Sequence, residues 1–298
     1  MRVLVLVVGL FALVPAFGVA RGKQAPRTAS QATNAFWCPM HPDVRSSTTG
    51  KCPICAMDLI AIPAATLGNY QLHVKQIARP GGAGAQGLHI DVRHPATSER
   101  VTAFSPLHER LLHLFIVRRD LSYFAHVHPD QAQDGFDVEV DLDPGAYVLI
   151  ADFAPVGGPP QLLHRAIVTP GFRRSPFASP DLQPDIVEKN VDGLRVSLEA
   201  QVRLLKPSML RFTLRDAATA TPIDDVEPFL GAAGHLLIVN SDVTSVTHAH
   251  PETTDAAGRI GPEIAFAPTF ATAGVYKMWV QFQRRGKVLT APFAIDVK

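Results

Sequence analysis

The sequence predicts a mainly β protein: two β-sandwiches preceded by a small metal-binding knuckle. Three observations lead there. Short β-rich segments alternate with turn residues along most of the chain, which holds 21 glycines and 25 prolines. A stretch that begins at His113 recurs at His235. The only three cysteines, Cys38, Cys52 and Cys55, fall within eighteen residues.

Composition narrows the function. Lys and Arg number 28 against 27 Asp and Glu, a net charge of +1 with no long basic run. That balance argues against nucleic acid and against a polybasic membrane surface. A hydrophobic content of 47% with 18% charged residues excludes a mostly disordered chain. A length of 298 residues exceeds one ordinary domain. Three cysteines cannot close a disulfide framework on their own.

From the start of the chain, Met1-Arg2 precede an uncharged apolar run from Val3 to Val14, and Gly18-Val19-Ala20 follow. This is the layout of a secretory signal peptide over residues 1–20. An uncleaved anchor is the alternative reading of the same run. After cleavage no stable membrane span is expected, and the location is periplasmic or secreted. Residues 21–35 are polar and read as a linker.

Residues 36–62 hold C-x2-H and C-x2-C spacings: Cys38 with His41, and Cys52 with Cys55. Two ligands two residues apart let one tight turn aim both at a common point, and two such turns close a tetrahedron. Met40 and Met57 lie beside the thiolates. Thiolate with thioether favours Cu(I) or Ag(I), whereas Cys3His suits Zn(II) equally well. A Cys52–Cys55 disulfide and a purely structural zinc knuckle are the alternatives. So short a segment cannot bury a core of its own, and a metal or a neighbouring domain must hold it together.

The residues C-P-M-H-P, then G-K-C-P-x-C and M-D-L, resemble the small heavy-metal-binding domain of bacterial metal-resistance proteins. That module precedes the periplasmic adaptors of efflux pumps and occurs in some copper-transporting ATPases. The resemblance implies that Cys38, Cys52 and Cys55, with His41 or a methionine, bind a soft heavy metal ion, copper (Cu+ or Cu2+) or zinc. It also implies a component of a metal efflux system as partner. The family usually has glycine where this chain has Ala56, at a turn that favours positive φ.

The repeat follows. Residues 113–129 align without gaps on 235–251, with eight of seventeen positions identical, including all three histidines of each copy. Asp143-Pro-Gly-Ala-Tyr147 matches Thr272-Ala-Gly-Val-Tyr276, and Ser105-Pro-Leu107 matches Glu227-Pro-Phe229. The copies span 68–170 and 186–298, with a proline-rich linker over 171–185. Strands are expected near 70–77, 87–92, 112–118, 122–128, 136–142, 146–153 and 162–168. In the second copy they are expected near 193–200, 208–215, 235–240, 243–249, 263–267, 275–283 and 288–297. Seven strands in about a hundred residues is an immunoglobulin-like count, and D-x-G-x-Y predicts a tyrosine corner at Tyr147. This part of the chain resembles an exported bacterial β-sandwich family found joined to the metal module, which implies fold and compartment but no activity.

A hairpin turning at Arg119-Asp120 would set His113 opposite His126, with His128 on the same face; His235, His248 and His250 repeat the pattern about Ser241-Asp242. Three imidazoles on one face suit Cu(II) or Zn(II). The same face carries Phe115, Val117 and Phe124, and in the second copy Leu237, Val239 and Val246. It therefore reads equally as a core face with histidines at its rim, and a two-residue register shift would separate the triplet. Of the other histidines, His73, His89, His94 and His164 read as surface residues, and His108 is a candidate to join the first triplet.

Two functions fit: a metal-binding protein that sequesters or transfers copper-like ions, or an envelope interaction module with a structural zinc knuckle. A copper redox enzyme fits poorly without the clustered Cys, His and Met ligands of blue-copper sites. The G-x-S-x-G and G-x4-G-K-[ST] motifs are missing as well. No enzymatic activity is expected.

Overall fold

The computed structural model describes residues 36–37, 44–46, 48–54, 56–61, 70–80, 84–95, 97–173, 180–251 and 260–298. The expected signal peptide, the expected linker over 21–35, Cys38, Met40, His41 and Cys55 lie outside these, as does part of the expected linker over 171–185. The described residues are all strand, turn and loop, and none of them forms a helix long and apolar enough to cross a membrane.

The knuckle is a three-stranded antiparallel sheet: β1 (Phe36–Trp37) lies between β2 (Arg45–Ser46) and β3 (Ile60–Ala61). Its small core is Cys52 and Leu59, flanked by Phe36 and Val44.

The first sandwich opens with β4 (Gln71–Ala78), β5 (Ala85–Arg93) and the short β6 (Phe104–Ser105). It continues through β7 (Leu112–Arg118), β8 (Phe124–Val127), β9 (Asp130–Ala132), β10 (Gly135–Asp141), β11 (Ala146–Pro155) and β12 (Gln161–Val168). One sheet has the order β4-β5-β10-β9; the other runs β12-β11-β7-β8, with β6 paired to β11. The second sandwich comprises β13 (Lys189–Val191), β14 (Leu194–Gln201), β15 (Met209–Asp216), β16 (His235–Asn240), β17 (Val246–Ala249), β18 (Glu263–Phe266), β19 (Gly274–Arg284) and β20 (Lys287–Val297). Its sheets are β13-β14-β15-β18 and β17-β16-β19-β20.

Each sandwich closes on alternating residues. In β5 the period of two sends Leu88, Ile90 and Val92 inward, against Leu112, Leu114, Ile116, Leu149 and Phe153 of the facing sheet. In the second copy Leu210, Phe212 and Leu214 meet Leu236, Ile238, Met278 and Phe293. Both tyrosine corners form: Tyr147 Oη donates to the Asp143 carbonyl at 2.9 Å, and Tyr276 Oη to that of Thr272 at 3.0 Å. The second corner thus forms without the aspartate, because the acceptor is a backbone carbonyl.

β7, β11, β16 and β19 are buried over most of their length on both faces. Their second faces meet across the repeats. Phe115, Val117, Leu121, Val148 and Ile150 of the first copy form one cluster with Leu237, Val239, Val243 and Trp279 of the second. Phe124 stacks on Trp279 with ring centroids 4.9 Å apart, and Arg119 Nη1 donates to the Asp242 carbonyl at 2.8 Å. The face that carries the histidines is therefore an interface between sandwiches, and the apolar residues beside them are its centre.

The hairpin register differs from the expected one by two residues. Phe115 pairs with His126 and Val117 with Phe124; in the second copy Leu237 pairs with His248. The cause is a longer turn. Leu121 and Val243 sit in the left-handed region at φ 61° and 57°, and their buried side chains anchor four-residue loops closed by Arg118 N–H to Tyr123 O and Asn240 N–H to Ser245 O. Neither position is glycine, so nothing in composition marks the turn. An even shift keeps every side chain on its face.

Candidate metal centre

The strands put three imidazoles of each copy at one end of this interface. His113 is the second residue of β7, His126 lies in β8 and His128 follows it; His235 opens β16, His248 lies in β17 and His250 follows it. In each triplet one nitrogen per ring lies within 4.8 Å of the other two. The register shift therefore does not separate them.

The hydrogen bonds set the tautomers. His113 Nε2–H donates to the Leu107 carbonyl at 2.9 Å, and His235 Nε2–H to that of Phe229 at 2.9 Å. Both carbonyls belong to loops with two successive left-handed residues, His108-Glu109 and Leu230-Gly231, which turn the backbone toward the ring. Their Nδ1 atoms are thus lone pairs. His126 Nδ1–H donates to Gln281 Oε1 at 2.7 Å, an orientation fixed by Gln281 Nε2 donating to Thr290 Oγ1 at 3.0 Å. His126 Nε2 is then a lone pair 3.0 Å from the lone pair of His113 Nδ1. His128 Nε2 lies 3.2 Å from His126 Nε2.

The second triplet repeats this with a carboxylate. His248 Nδ1 is 2.6 Å from Asp152 Oδ2, and with the shared proton on Nδ1 its Nε2 points at His235 Nδ1, 3.1 Å away. His250 Nε2 is 3.1 Å from the same atom. Burial pushes Asp152 up to about 7.

All six histidines are held neutral. Burial, the largest cause, lowers His113 and His128 to about 4 and His235 to about 3. His126, His248 and His250 are also lowered, by burial and by the neighbouring imidazoles. Protonation is therefore a poor way to relieve facing lone pairs. A borderline cation between them suits the donor set, and the outward N–H bonds to carbonyl, amide and carboxylate are the arrangement metal-bound histidines use.

Asp152 and Gln281 were missed in the sequence. Each is next to the first histidine of its own copy in the β ladder, Asp152 opposite His113 and Gln281 opposite His235. Each nevertheless bonds a histidine of the other copy. Aligning the tyrosine corners would have found them, since both stand five residues after the corner tyrosine in a largely apolar strand. His108 also belongs to the cluster, but on the other side from the expected one: it stacks on His250 at 3.5 Å between centroids, while its ring is 6.2 Å from that of His113. His89 is bonded to Asp137 at 2.7 Å.

In the knuckle, Cys52 is 2% exposed and its Sγ accepts the Ile54 N–H at 3.4 Å, a bond that favours the thiolate a soft metal needs. Cys52 N–H bonds the Met57 carbonyl and Ala56 N–H bonds the Cys52 carbonyl, so the turn wraps the sulfur. Ala56 adopts φ 59°. Met57 is exposed.

Residues 35–62 match the family described as heavy metal binding domain, and residues 64–164 and 189–298 match a domain of unknown function, DUF8832. No curated protein matches the sequence. Among solved structures, the FN1-FN3 domains of chicken CNTN1 are similar at 8% identity, covering 81% of this chain and 70% of that one, with a TM-score of 0.22. The chain belongs to the DUF8832 family, with the domain in two copies behind a heavy metal binding domain.

Proposed function

We propose that this is an exported protein that binds copper-like heavy metal ions and sequesters them or passes them on. The observation that carries the reading is the heavy metal binding domain over 35–62, the segment that holds Cys38, His41, Cys52 and Cys55. Thiolates beside Met40 and Met57 favour Cu(I), and Zn(II) is the competing occupant. The apolar amino terminus supports a periplasmic or secreted location, where a component of a metal efflux system would be the recipient. Ligands on a short module are reachable by such a partner, as transfer requires. We read the chain as a binding protein and not an enzyme.

Anaerobic loading with Cu(I) tests this. The chain is expected to retain copper against dialysis, and Cys52→Ser with Cys55→Ser is expected to lose that copper. Unchanged stoichiometry in the double variant would remove the cysteine module from the account.

A further inference from the structure

The histidine cluster has a property that neither copy has alone. The two triplets face each other: His113 and His126 lie 5.6–6.1 Å, centroid to centroid, from His235 and His248. Each is oriented from the opposite sandwich, since Gln281 holds His126 and Asp152 holds His248. The exchange is reciprocal, as in an isologous dimer interface.

We propose that the interface is a paired metal centre, in which His113, His126 and His128 hold one borderline divalent cation and His235, His248 and His250 hold a second. The probes are Zn2+ and Cu2+. Three arguments support it. First, two of the three nitrogen–nitrogen separations in each triplet are 3.0 to 3.2 Å and the third is within 4.8 Å, against the roughly 3.3 Å between ligands of one tetrahedral zinc with bonds of about 2.0–2.1 Å. Second, the outer N–H of His113, His126 and His235 each has a protein acceptor, which leaves the inner nitrogen as donor to a metal. Third, His128 lines a cleft of about 460 Å³ with Arg110, Pro129 and Asp130, which gives an ion a way to the first triplet. Three protein nitrogens leave the fourth position of each ion for water or a further ligand, and at the second site the His108 ring already stacks on His250.

The two sites are unlike in their support. The first is backed by the amide of Gln281 and the second by the carboxyl group of Asp152. Metal loading ties the two sandwiches together because each site draws on both.

The experiment uses the full chain carrying Cys38→Ser, Cys52→Ser and Cys55→Ser, so failure of the cysteine module cannot be confused with failure of this centre. The metal-free protein is loaded with Zn2+ or Cu2+, dialysed, and its metal counted. Two ions per chain are expected, and the copper form should show the half-field resonance of two neighbouring Cu(II) ions. His128→Ala and His250→Ala lie at the partly exposed margin of the cluster and spare the buried His113 and His235. Each should leave one ion and an isolated Cu(II) spectrum, and the pair should leave none. Asp152→Asn should weaken the ion lost in His250→Ala and spare the other. One ion or none in the folded parent, or two ions retained in the double variant, overturns the proposal.

Discussion

At the scale of single residues, Ala56 is the clearest case of local strain beside a candidate ligand. Its φ of 59° costs an L-residue about 1–2 kcal/mol relative to glycine, and it sits in the turn around Cys52. Ala56→Gly is therefore expected to tighten Cu(I) binding by the module, up to about tenfold, measured by competition with a chelator. Weaker binding in that variant would show that the alanine conformation assists the site. Asp152 and Gln281 illustrate the limit of reading residues singly. Each looks like a stray polar side chain in an apolar strand, and only the partner copy reveals what it holds.

At the scale of elements, almost every strand was legible, because alternation in β5, β14 and β15 marks one buried face and turn residues mark the ends. The exceptions are instructive. The hairpin register was off by two because the turns place leucine and valine, not glycine, in the left-handed region. The apolar face beside the histidines reads in the sequence either as a metal-binding face or as a sandwich core, yet β7 and β16 have no polar face left for solvent. A strand buried on both sides needs a second layer, and here that layer is the other repeat. Trp279 is the largest side chain in that layer, 5% exposed and stacked on Phe124. Trp279→Ala should lower unfolding free energy by about 3–5 kcal/mol in chemical denaturation and split a single transition into two. A single transition of unchanged midpoint would mean that the interface contributes little.

At the scale of the whole molecule, the sequence showed a repeat but not that the copies face each other, since nothing local encodes a contact between residues more than a hundred positions apart. That contact makes stability depend on pH. A histidine held neutral in the fold gains its proton on unfolding, so the unfolded chain binds more protons below its ordinary pKa of about 6.5. Stability is thus lost as pH falls from about 6.5 toward the folded values of about 4 for His113 and about 3 for His235. Each of these two contributes about 2 kcal/mol of that loss by pH 5, an order-of-magnitude figure. Asp152, raised to about 7, acts in the opposite sense, since its carboxyl gains a proton in the fold before it would in the open chain. One carboxyl against six lowered histidines leaves the net slope toward instability in acid. Thermal melts of the metal-free protein should therefore show a steep drop in Tm between pH 6.5 and 4. A flat profile would contradict neutral burial of the cluster.

The most direct measurement is anomalous diffraction at the zinc edge from crystals of the zinc-loaded chain. The account predicts two peaks inside the sandwich interface, each about 2.0–2.1 Å from three imidazole nitrogens. One peak should be ringed by His113, His126 and His128, and the other by His235, His248 and His250. Crystals with zinc on the cysteine module or the surface and no peak among these six histidines would contradict it.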